Sequence, residues 1–196
     1  ASTVSLPIGR YARAVEPLDD ERIIFHDTET LIVLNVVQPE APWIESESAA
    51  GGWPYSLHVL DGYVYTRVGN DGFTIYDFSD PTLPVEIDQF HTGSVATGFT
   101  QVTDDLLLVS GGRGCMLFDV SDPRRPIARG GTSVPFATIA EAAHQDALLF
   151  LDQGRGLMTL PRPCAPTATS APPASRGETL RVTTWPNPFN PSTQIA

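Results

Sequence analysis

One spacing constrains this chain more than anything in its composition. Asn35-Val36-Val37-Gln38-Pro39-Glu40-Ala41-Pro42 is followed 42 residues later by Asp77-Phe78-Ser79-Asp80-Pro81-Thr82-Leu83-Pro84. After another 42 residues comes Asp119-Val120-Ser121-Asp122-Pro123-Arg124-Arg125-Pro126. The apolar tetrads ahead of them keep the same step: Leu31–Leu34, Phe73–Tyr76, Cys115–Phe118 and Leu157–Leu160. Gly72, Gly114 and Gly156 precede the last three tetrads, with Thr30 in the first unit. A period of this size marks a repeat architecture, whose units cannot bury their apolar faces alone.

Each unit reads as short strands and tight turns. In the second unit Tyr55–Leu60 runs into Asp61-Gly62, a pair that tolerates the positive φ of a two-residue hairpin turn. Tyr63–Arg67 and Phe73–Phe78 follow as strands, and Ser-Asp-Pro-x-x-Pro then stops the chain. Asp bonds the backbone two residues on, while Pro pre-sets φ. Val85–Phe90 completes a fourth strand. The third strand is apolar on both faces, as a strand covered from both sides requires. No stretch sustains a 3.6-residue apolar period; Ala137–Ala147 is Ala-rich but stands in the register of a first strand. Four strands per 42 residues is the blade size of a β-propeller. The spacing therefore predicts an all-β propeller of four-stranded blades, about four of them in residues 1–161. The fourth unit stops after its third strand, at Pro161.

Composition narrows the chemistry. All 12 basic residues are Arg, which removes Schiff-base and lysine-base mechanisms. A net charge of −11 repels a phosphate backbone, so nucleic acid is not expected as a partner. No apolar run reaches the roughly 20 residues of a membrane-spanning helix. Cys115 and Cys164 lack metal-ligand spacing, and Cys115 opens an apolar run, so a buried free thiol is the default against a bridge.

Ser2–Ile8 stands 42 residues before Ile44–Ala50, in fourth-strand register. It either closes a four-bladed ring or ends an upstream blade of a larger propeller; the second is the expectation. The chain begins at Ala1 with neither Met nor a signal-peptide pattern, and is expected to be a C-terminal portion of a longer secreted protein.

Residues 162–177 are rich in Pro, Ala, Ser and Thr and read as a linker that cannot bury enough surface to fold. In 178–196, Thr179-Leu180-Arg181-Val182-Thr183 alternates like a strand. Trp185-Pro186-Asn187-Pro188-Phe189-Asn190-Pro191-Ser192-Thr193 follows. This tail resembles the start of the C-terminal sorting domains of type IX secretion substrates. It is also similar to the immunoglobulin-like domain of flagellar hook-capping proteins. The resemblance implies a truncated β-sandwich and a role for the tail in engaging the secretion machinery.

The repeats resemble LVIVD-type repeats of bacterial and archaeal surface proteins. Leu31-Ile32-Val33-Leu34-Asn35-Val36 lies close to the pattern that names them, and Phe73–Pro84 and Cys115–Pro126 carry the Asp-x-Ser-Asp-Pro-x-x-Pro signature. Unit one has Val37-Gln38-Pro39 instead, and unit four lacks the signature. The resemblance implies an extracellular or cell-surface propeller with no defined activity.

Candidate chemistry is sparse. Asp77, Asp80, Asp119 and Asp122 recur beside turn prolines, which favours turn capping over catalysis. Gly72, Gly114 and Gly156 are expected in the hairpin turns of the repeat. Asp19-Asp20 and Asp104-Asp105 align with Asp61-Gly62 as solvated turns, without the spacing of a calcium cage. His26, His58, His91 and His144 fall at four different places in the repeat, so no metal site or cofactor is expected. His58, Glu16 and Thr100 share one position of the predicted first strand, which lines the channel of a propeller. Trp43, Trp53 and Tyr55 gather at the first unit junction, either as a stacking platform or as packing between blades. No catalytic residue is assigned. The leading expectation is a non-catalytic module binding protein or glycan. The competing one is a hydrolase or lyase whose channel site draws on missing blades, and a third is an architectural spacer.

Overall fold

The computed structural model describes residues 12, 14–27, 29–50, 56–67, 71–112, 114–132, 138–144, 147–152 and 156–161. Residues 162–196 and Ser2–Ile8, with the readings placed on them, lie outside this set. The described residues form fifteen strands in four antiparallel sheets, with no helix.

Sheet 1 is β1 (Ala14–Pro17), β2 (Arg22–His26), β3 (Thr30–Asn35) and β4 (Trp43–Ala49). Sheet 2 is β5 (Leu57–Leu60), β6 (Tyr63–Arg67), β7 (Phe73–Asp77) and β8 (Val85–Phe90). Sheet 3 is β9 (Ala96–Thr103), β10 (Leu106–Gly111), β11 (Gly114–Asp119) and β12 (Ile127–Thr132). Sheet 4 has three strands, β13 (Thr138–His144), β14 (Ala147–Asp152) and β15 (Gly156–Pro161). Within each sheet the strands pair in sequence order, so every sheet is a meander. The first strands of successive sheets touch, β1 to β5, β5 to β9 and β9 to β13. This is the blade order of a β-propeller, with first strands innermost and fourth strands outermost.

Turn chemistry holds each meander. Asp61 and Gly62 have φ of 49° and 80°, the left-handed pair that matches the twist of β5 and β6. After β7, Asp77 Oδ1 accepts from the Ser79 N–H at 2.8 Å, and Asp80 Oδ1 from the Thr82 N–H at 3.0 Å. After β11, Asp119 Oδ1 takes the Ser121 N–H and Asp122 Oδ1 the Arg124 N–H, at 3.0 and 3.1 Å. Asn35 Oδ1 does the same for the Val37 N–H. The Asp-x-Ser-Asp signature is thus two overlapping side-chain-capped turns.

Every fourth strand carries a one-residue bulge opposite the same place, between Val33 and Leu34, Ile75 and Tyr76, and Leu117 and Phe118. Two bulge residues reach the capping position of the third strand. Glu45 accepts from Asn35 Nδ2 at 3.0 Å and from Arg22 Nε at 2.9 Å. Arg129 donates to Asp119, a charge-reversed version of the same contact.

The sheets stack through apolar faces. The forward face of sheet 1 (Ile24, Leu31, Val33) packs with Leu57, Val64, Tyr76 and Phe78 of sheet 2. Tyr65, Phe73 and Ile75 of sheet 2 meet Leu107, Val109, Phe118 and Val120 of sheet 3. Leu108, Cys115 and Leu117 then meet Leu148 and Phe150 of sheet 4, with Cys115 buried among them. Hydrogen bonds cross as well, among them Ser46 Oγ donating to the Pro81 carbonyl and Tyr65 Oη to the Pro123 carbonyl at 2.7 Å. Each such bond contributes about 0.5–1.5 kcal/mol net, whereas each large side chain buried contributes about 1.5–3. Apolar burial therefore dominates the stacking.

Candidate functional site

The innermost strands bring one predicted pair together. Glu16 on β1, His58 on β5 and Thr100 on β9 occupy the same ladder position, opposite Ile24, Tyr65 and Leu108. The Glu16 carboxylate reaches across to sheet 2, where Oε2 lies 3.4 Å from His58 Nδ1 and accepts from the Val59 N–H at 2.9 Å. Glu16 thereby covers a backbone donor on the inner edge of β5 and fixes the imidazole beside it. The His58 side chain is only 13% exposed, and its Nε2 is buried with no hydrogen-bond partner among the described residues. A ring nitrogen buried without a partner carries an uncompensated desolvation cost of about 1–3 kcal/mol. Thr100, half-buried, makes no hydrogen bond to either residue among those described. The fourth member of the ladder position is Ala142, which brings no polar group.

Two donors do not make a metal centre. Among the described residues no group of three or more His, Cys, Asp or Glu is placed to hold an ion. Among the described residues the printed partners of the pair are each other and the Val59 N–H, an arrangement that can bind or orient a polar group.

The outer rim holds the second candidate surface. Trp43 is exposed at the start of β4, while Trp53 and Tyr55 lie outside the described residues. Trp43 pairs with Asn35, Val85 with Asp77 and Ile127 with Asp119, so these three apolar residues recur at one position of successive blades. They are 47, 58 and 56% exposed. The row is visible in the sequence as a 42-residue step, but only the structure turns it outward. Leu83 and Val37, in the neighbouring turns, are exposed beside it.

A buried polar link between sheets 1 and 2 had no signal in the repeat. His26 is fully buried, with Nε2 3.1 Å from the Ala50 carbonyl and Nδ1 2.9 Å from Thr66 Oγ1. A carbonyl only accepts, so Nε2 carries the proton and the neutral ring accepts from the Thr66 hydroxyl at Nδ1. Burial pushes the His26 pKa below its ordinary value. His91 and His144 are exposed, His91 beside Asp71 at 3.3 Å. Asp80 and Asp122 are engaged by their turns as described, and hydrogen bonding from Thr82 holds the Asp80 carboxyl below the usual range. Gly72 and Gly156 have φ of 80° and 78°, and Gly114 has φ of 140°.

The LVIVD repeat family model matches residues 51–92, one unit of the chain. No curated protein matches the sequence. Among solved structures, the chain is similar to the crystal structure of the computationally designed Ika4 protein. The TM-score is 0.64 at 10% identity, over 83% of this chain and 98% of that one. At this identity the likeness concerns the fold.

Proposed function

We propose that the chain is a non-catalytic β-propeller module of an extracellular or outer-surface protein, binding a protein or glycan partner. Its C-terminal tail would be handed to type IX secretion machinery. The carrying observation is the row of exposed apolar side chains, Trp43, Val85 and Ile127, at one position of three successive blades. Solvent gains nothing from a large apolar group at a repeated exposed position, whereas a partner laid across the blades gains several contacts at once. Trp43 also offers the flat face on which a sugar or an aromatic side chain stacks. The resemblance of Pro186–Thr193 to sorting domains supports export.

The test is binding of the immobilised chain to a glycan array and to a solubilised outer-membrane extract, comparing wild type with Trp43→Ala and Val85→Ser. Binding reduced about tenfold or more by either variant, with melting temperature unchanged, is expected. Equal binding by all three proteins overturns the assignment of the row. A second reading, a hydrolase or lyase with a channel site, draws on the Glu16–His58 pair and its open Nε2. Turnover of chromogenic esters or glycosides that His58→Gln abolishes would favour it.

A further inference from the structure

The exposed row Trp43, Val85 and Ile127 lies at one end of the sheets, because these residues open β4, β8 and β12. Val37 and Leu83 stand exposed in the turns just before. In a meander, the turn from first to second strand leaves at the same end as the turn from third to fourth. Leu18 packs in one cluster with Phe78, and Leu60 in another with Val120, so this end of sheets 1, 2 and 3 is held side by side.

The six turns at this end are also where acidic charge collects. Exposed carboxylates number three in the β1–β2 turn, two in the β9–β10 turn and one in each of the other four, nine in all. Arg124 and Arg125 are the only basic residues of those turns. The connections at the opposite end hold two exposed carboxylates among the described residues, Glu29 and Asp71. Of the nine, Asp19 is ion-paired with Arg22. Among the described residues no three acidic groups converge on an ion site, so the charge is spread over the face rather than gathered around one cation.

We propose that the Trp43 row and the acidic turns around it dock a protein surface that presents Lys and Arg side chains around apolar ones. The inference rests on the row being a binding surface and chooses between its two kinds of partner. A neutral glycan gains nothing from this field and a polyanionic one is repelled, whereas a basic protein surface is steered in and orientated. The apolar row then supplies the contacts that hold it.

The experiment is fluorescence anisotropy on the whole chain with three labelled peptides of equal length, in which Leu pairs alternate with pairs of Lys, Glu or Ser. Cellohexaose serves as the neutral glycan. Only the Lys peptide is expected to bind, and more weakly as salt rises. Asp20→Asn with Asp105→Asn should weaken it about fivefold or more at low salt, with melting temperature unchanged because both residues are exposed. Glu29→Gln with Asp71→Asn removes the same charge from the opposite end and should change it by less than about twofold. Trp43→Ala should also weaken it. No binding of the Lys peptide, or equal losses in the two acidic pairs, overturns the proposal. Trp43-dependent binding of cellohexaose or the Ser peptide, indifferent to the acidic substitutions, overturns it while leaving the row a binding surface. Binding of the Lys peptide that needs the acids but not Trp43 overturns the row itself.

Discussion

His26 shows what a single residue contributes when a repeat makes an exception. Its ladder position is shared with Arg67, Ser110 and Leu151, so three of four blades place a polar group on a forward face that is otherwise apolar. Burying an imidazole between two sheets is tolerable only because both nitrogens are satisfied. Neutrality is enforced by desolvation, the largest influence on its pKa. The unfolded chain binds a proton near the ordinary value of 6.5, whereas the folded one resists it. Stability is therefore full above about pH 6.5 and falls as the pH drops through the folded value. Urea unfolding between pH 5 and 8 should show this slope, and His26→Gln should flatten it. The capping carboxylates Asp77, Asp80 and Asp119 titrate below the ordinary carboxylate range, so their acid destabilisation belongs to a separate, lower window. A slope between pH 5 and 7 unaltered in the variant would remove His26 as its source.

Elements are held in place by turns that admit few residues. Gly72, at the entry to β7, has φ of 80°, and its N–H bonds the Ser94 carbonyl at 2.7 Å. A Cβ there would stand 1.6 Å from the Phe90 carbonyl oxygen, which is backbone and cannot turn aside. Gly156 occupies the equivalent place in sheet 4 with φ of 78° and open space around it. Gly156→Ala should thus cost only the conformational strain, about 1 kcal/mol. Gly72→Ala adds the clash and should cost more than about 2 kcal/mol. Chemical denaturation of the two variants side by side measures the difference, and equal losses would contradict the close approach. The turn pattern was legible in the sequence because Gly, Asp and Pro are selected locally. The close approach of Phe90 was not, since that residue lies on another strand.

Across the whole molecule the blades are joined face to face, with hydrogen bonds as a minor part. Tyr65→Phe removes the donor to the Pro123 carbonyl while keeping the ring in its apolar setting, and should cost about 0.5–1.5 kcal/mol. Phe73→Ala empties the centre of a cluster in which its ring meets Phe118 edge-on at 5.3 Å and stacks on Phe90 at 5.1 Å. That loss should reach about 3–5 kcal/mol. Thermal unfolding compares the two. A hydroxyl deletion as damaging as the cavity would mean that polar contacts hold the blades.

Readable from the residues alone are the repeat and, through it, the strand count, the turns and the common ladder position of Glu16, His58 and Thr100. Those follow from local chemistry repeated at a fixed step. A constant step of 42 nevertheless fails in the second strands. The residues opposite that ladder position are Ile24, Tyr65, Leu108 and Leu149, at steps of 41, 43 and 41, while Val33, Ile75, Leu117 and Thr159 keep 42. One connection gains the residue that the next one loses, so the second strand keeps its faces although the alignment slips. The packing of blade on blade sets the rest: Glu16 meets His58 while Thr100 stays apart, and His26 is buried against Thr66. Each depends on what the neighbouring blade presents across the gap, and no spacing within one unit carries that information.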